Sequence, residues 1–159
     1  MSDQITTPVA GYTITILGEK SPHRLTIPGR LPGLNEYTSA CRSSHMAGAK
    51  MKQDSQDVVL WSILSKMRKV HFTKPVFLLF TFYEKDKRRD RDNVASYARK
   101  VIQDALVKAG TIEDDGWGYV TGYLDQFEID AKNPRIVVEF IEQEVAAKCS
   151  KRQGKNSKK

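Results

Sequence analysis

Apolar and polar residues alternate with a period of two over Gly11 to Leu17, GYTITIL, as in a half-buried strand. His23 to Ile27 has the makings of its partner, with Gly18 to Pro22 as the turn between them. The next segment, RLPGLNEYTSACRSSHMAGAK, is punctuated by proline, glycine, serine and asparagine, so it reads as an irregular loop leading into a helix. Helical periodicity sets in over Ala47 to Lys69, where Leu60, Ile63, Leu64 and Met67 make an i, i+3, i+4, i+7 stripe. Trp61 lies beside that stripe and is expected in the core. Pro75 to Tyr83 contains VFLLFTFY, apolar enough for the centre of a sheet. Val94, Ala98, Val101, Ile102, Ala105 and Ala109 mark a second helix, with Asp92 or Asn93 as its N-cap and Gly110 at its C′ position. Arg99, Lys100 and Gln103 fall off its apolar stripe. Tyr119 to Asp130 and Arg135 to Glu142 read as two last strands. Helices and strands do not alternate regularly. The expected class is therefore α+β: a single domain, one mixed β-sheet with two main helices packed on one face.

The apolar strand ends abruptly in EKDKRRDRDN, where Asp90 and Asp92 stand one residue apart among Lys85, Lys87, Arg88, Arg89 and Arg91. If the extended form persists, both carboxylates point to one side and could share a metal ion. A second acidic pair, Asp114 and Asp115, follows the second helix. Carboxylates of this kind hold hard cations, usually Mg²⁺. Neighbouring arginines and lysines suggest an anionic substrate such as a phosphodiester backbone. Either acidic pair alone is ordinarily a solvated turn. Together with a buried strand, a basic collar and a capped helix, the two pairs follow a recurring nuclease pattern.

Charge adds a division of the chain. The net charge is +7, and the end from Lys148 carries Lys148, Lys151, Arg152, Lys155, Lys158 and Lys159 with no acid. The expected organisation is a folded domain over residues 1–147 and a basic, disordered tail over residues 148–159. Such a tail either solubilises the protein or attracts nucleic acid loosely. Arg30, Arg42, Lys50 and Lys52 lie in a segment whose one acid is Glu36, a candidate basic surface for backbone phosphates. No apolar run has the length of a membrane span, and no signal-peptide pattern opens the chain. Cys41 and Cys149 are too few and too distant for a zinc site or a disulfide framework, which suggests a reducing cytoplasm.

Three stretches carry a family resemblance: Asp90-Arg91-Asp92-Asn93, then DALVKAG from Asp104 to Gly110, then Asp114-Asp115. In this order and spacing they resemble the RusA family of Holliday junction resolvases, particularly those of phages and prophages. PGLNEY, from Pro32 to Tyr37, is similar to that family's N-terminal loop. The likeness spans about residues 10–142. It implies a RusA-like fold and a homodimeric, Mg²⁺-dependent endodeoxyribonuclease that cuts four-way or other branched DNA. The setting would be recombination, repair or phage DNA processing in the cytoplasm of a bacterial cell. Asp90, Asp92 and Asp115 would be the catalytic, metal-binding acids, with Asp114 as the alternative third ligand. Lys100 would be the essential lysine. Counting from the first motif lands on Ser96 instead, but a four-residue gain leaves the helix face nearly unchanged. Asn35, Arg30, Arg42, Lys50, Lys52, Lys87, Arg88, Arg89 and Arg91 would contact DNA. The competing expectation is a non-catalytic nucleic-acid-binding protein.

Length adds one constraint. A helix over Val94 to Ala109 is about 24 Å long, and the segment from Gly110 to Asp115 spans at most about 18 Å. A straight helix therefore cannot return Asp115 to Asp90 and Asp92 of its own chain. A two-fold partner that supplies Asp115 would resolve the conflict.

Overall fold

The structure is a computed structural model, described for residues 4–9 and 12–144. The expected tail, with Cys149, lies outside the described residues. The elements run β1 (Gln4–Val9), β2 (Tyr12–Leu17), β3 (Glu19–Pro28), α1 (Leu34–Ser43), α2 (His45–Lys66), β4 (Val76–Glu84), α3 (Arg91–Lys108), β5 (Val120–Ile129) and β6 (Arg135–Glu142). This is an α+β domain with a mixed sheet, as the sequence suggests. Three helices replace the expected two.

The main sheet has the order β3-β6-β4-β5. β6 is antiparallel to both β3 and β4, whereas β4 and β5 are parallel. Parallel neighbours need a long crossover, and α3 supplies it. β4 is therefore interior, and its saturation with apolar residues follows from burial on both faces. Leu78, Phe80 and Phe82 join Val138 and Phe140 of β6 beneath Val59 and Ile63 of α2 and Val101, Ile102 and Leu106 of α3. The opposite face meets the β1–β2 ribbon, where Gln126 Nε2 donates to Thr7 Oγ1 at 2.8 Å. β2 pairs with β1 and β3 pairs with β6, so the expected hairpin of Gly11 to Leu17 with His23 to Ile27 does not form.

The expected irregular loop after Arg30 contains α1, which has no fully buried residue and packs on the core through the partly buried Tyr37. Ser44 ends α1 in extended conformation and caps α2 by accepting from the Ala47 amide at 2.9 Å. Ile63 and Met67 of the expected α2 stripe are buried, but Leu64 is 46% exposed. Trp61 is 70% exposed, not in the core, because it lies on the side of α2 turned away from the sheet. The α3 stripe is buried as expected, apart from a half-buried Ala109 at its end. Gly110 closes the helix with φ 76°, in the left-handed region that favours glycine, and the Thr111 amide donates back to Leu106 O at 3.0 Å. Among the described residues, no helix is long and apolar enough to cross a membrane.

Candidate active site on helix α3

The N-cap of α3 lies two residues before Asp92, the earlier of the two expected caps. Asp90 is the N-cap, in extended conformation, and its carboxylate makes no capping hydrogen bond. An exposed acid at a helix N-terminus is stabilised by the helix dipole. Left unused by the backbone, it is available to a cation. Asp92, in the first turn, accepts from Ser96 Oγ at 2.8 Å. Asn93 faces the other way: its Oδ1 accepts from the Asn35 amide at 2.8 Å, so it holds the first turn of α1 against α3. Gly33 is required at this junction, since a Cβ there would lie 2.7 Å from Asn93 Nδ2. Asn35 thus uses its backbone to join the two motif segments, and its exposed side chain remains outside that contact.

Asp115 returns only to the middle of α3. Lys100 Nζ donates to Asp115 Oδ2 at 3.1 Å and pairs with Asp104 Oδ1 at 2.8 Å. These hydrogen bonds, first to Asp104 and then to Asp115, raise the Lys100 pKa above the ordinary lysine value. Asp92 lies eight residues earlier in the helix, about 12 Å along its axis. Of the two positions reached by counting, Lys100 meets Asp115 and Ser96 meets Asp92. Asp114 is exposed and takes no part in the Lys100 cluster. Asp90, Asp92 and Asp115 do not converge within one chain, in keeping with the length of α3. Among the described residues, no group of three His, Cys, Asp or Glu is arranged to hold a metal ion.

Periodicity does not single out Asp125, yet it lies near Asp92. The β4–β5 register sets it opposite Phe80, on the face of the sheet that α3 covers. Its Oδ2 is paired with Arg99, and its Oδ1 is buried without a hydrogen-bond partner. Burial pushes the Asp125 pKa up, Arg99 pulls it down, and the negative charge of nearby Asp92 adds to the rise. A buried, unsatisfied carboxylate oxygen in the field of a second carboxylate favours a cation. Asp92 and Asp125 are of the ligand type that a divalent ion takes, but among the described residues no third His, Cys, Asp or Glu joins them.

The basic collar divides into two classes. Arg89 donates to both oxygens of the buried Glu84, at 2.8 and 3.2 Å, and to Leu31 O at 2.9 Å. Arg30 also meets Glu84, at 3.1 Å. Both arginines therefore meet Glu84 in one network at the end of β4. Lys52 pairs with Asp104 at 3.3 Å, and Lys50 pairs with Asp54 at 2.9 Å. Arg91 lies over the Phe127 ring, 5.7 Å from its centroid. Lys87, Arg88 and Arg42 remain on the surface; the Arg88 amide donates to Asp86 Oδ1 at 2.9 Å and its guanidinium lies 3.7 Å from the same carboxylate.

No family model matches the chain, and none of the curated proteins matches it in sequence.

Proposed function

We propose that the protein is a divalent-metal-dependent endodeoxyribonuclease that hydrolyses a phosphodiester in branched DNA and acts as a homodimer. The observation that carries this reading is the Lys100–Asp115 contact at 3.1 Å. Two residues that the resolvase resemblance names as catalytic, the lysine and the third acid, meet on the helix whose start carries Asp90 and Asp92. Asp90, Asp92 and Asp125 of one subunit, with Asp115 of its two-fold partner, would hold Mg²⁺. When bound, that ion supplies charge neutralisation at the phosphate and an activated water. The chain's own residues set the geometry. The α3 N-terminus favours anions at its first turn. Arg99 anchors Asp125, and Lys100 would shift from Asp115 to the scissile phosphate, where a cation stabilises the charge that develops. Lys87, Arg88 and Arg42 would hold phosphates without reading bases.

One observation favours the alternative, a nucleic-acid-binding protein without catalysis: no three-ligand cluster forms among the described residues of one subunit. Nicking of a synthetic four-way junction that requires Mg²⁺ and disappears in Asp92→Asn separates the two readings. Nicking that survives in Asp92→Asn, or needs no divalent ion, contradicts the nuclease assignment to these acids.

A further inference from the structure

We propose that the groove between α3 and the start of β5 seats an unstacked nucleobase, with Trp117 as its stacking platform. The inference rests on the branched-DNA reading and assigns the part of that site that senses the branch. Trp117 is 98% exposed, in the connection between Asp115 and β5. The groove beside it has a volume of about 510 Å³ and is lined by Gln103, Asp115, Trp117, Thr121 and Tyr123, among others. Tyr123, 50% exposed, supplies a second ring.

The contents suit a base better than an apolar peptide. Indole and phenol rings offer π faces to any base. The Gln103 amide offers a donor and an acceptor to the base edge. Two cations stand on the same side, Arg99 paired with Asp125 and Lys100 with Asp104 and Asp115. The Arg99 guanidinium is 4.5 Å from the Tyr123 ring centroid, and Lys100 contacts Asp115 on the groove wall. In linear duplex the faces of internal bases are covered by their neighbours. At a branch point, base faces become accessible. A platform beside Asp115 therefore favours branched over linear DNA without reading sequence.

The test uses the full chain in EDTA, so that binding is read without cleavage. Trp61 is the other tryptophan, and Trp61→Phe leaves Trp117 as the one fluorescent indole. A four-way junction with 2-aminopurine at the branch is compared with a linear duplex carrying the same label internally. The junction is expected to quench Trp117 and the duplex to leave it unchanged. Trp117→Ala should weaken junction binding about tenfold and leave duplex binding alone, whereas Trp117→Phe keeps most of the preference. Junction preference that is undiminished in Trp117→Ala, when the parent protein has that preference, overturns this inference alone. Binding of neither DNA by the parent protein overturns it together with the branched-DNA reading. Dissociation of a dimer by Trp117→Ala, seen by sedimentation without DNA, assigns the indole to a subunit interface and also overturns it.

Discussion

The first turn and the middle of α3 both carry carboxylates, but their charge is arranged differently. In the middle, Asp104 and Asp115 share Lys100, and Asp104 has Lys52 as a second partner. That cluster is balanced internally. At the first turn Asp90 makes no capping bond, Asp92 has only a serine hydroxyl, and the nearby Asp125 keeps one buried oxygen unpaired. Of the basic residues next to it in sequence, Arg89 does not offset this excess, because it is committed to Glu84. Local net charge thus misleads. The ladder of hydrogen bonds decides which acids have an unmet need for a cation.

The comparison can be sharpened first at the acids themselves. Asp90→Asn and Asp92→Asn should each lower junction cleavage by about a thousandfold, while gel-shift binding is unchanged or tighter. Asp115→Asn should do the same, but Asp104→Asn should cost only severalfold, since it only helps to hold Lys100. Equal losses at Asp104 and Asp115 would show that the middle cluster acts as one structural unit.

The collar gives a smaller, opposite signature. Arg89→Ala leaves the buried Glu84 with Arg30 as its remaining cation, with an expected loss of about 1–3 kcal/mol in denaturant unfolding. Lys87→Ala and Arg88→Ala should leave stability alone and each reduce the salt slope of DNA binding by about one. A salt-slope change without destabilisation in Arg89→Ala would return that arginine to the DNA surface.

Smaller again is the junction of the two motif segments. Gly33→Ala should destabilise by about 1–2 kcal/mol through overlap with Asn93. The same change in an Asn93→Ala background should cost less, so a double-mutant cycle has a non-zero coupling. Additive costs would mean that the contact does not constrain α1.

The least effect is expected from pH. A carboxyl whose folded pKa is raised disfavours its ionised form, so Asp125 subtracts stability as pH rises from the ordinary carboxylate range through its folded value. Relative to Asp125→Asn, wild-type protein should lose melting temperature across that interval. A wild-type gain there would mean that the Arg99 pair outweighs burial.

Much of this was legible along the chain, where local pattern and tertiary structure agree. β4 and α3 carry their burial in their own periodicity, and Gly110 ends α3 at a left-handed residue. α1 was not legible because it buries no residue; Tyr37 packs on Tyr97 of α3, 4.8 Å between rings, and the Gly33–Asn93 junction fixes its start. Asp90, Asp92, Lys100 and Asp115 were readable from motif spacing. Asp125 was not, since a lone acid in a ragged strand becomes significant only through the parallel pairing of β4 with β5. The fixed state of Arg30 and Arg89 also depends on a tertiary fact, the burial of Glu84.

In a single protomer Asp115 contacts Lys100, which stands about 12 Å of helix axis from Asp92, and the proposed nuclease accordingly uses two subunits at each site. Mixing Asp92→Asn with Asp115→Asn measures this directly. Both homodimers are expected to be silent. In the heterodimer one site receives both lesions and the other receives neither, so Mg²⁺-dependent nicking of one junction strand should return. A heterodimer verified by differential tagging that binds the junction yet does not nick it would contradict shared sites.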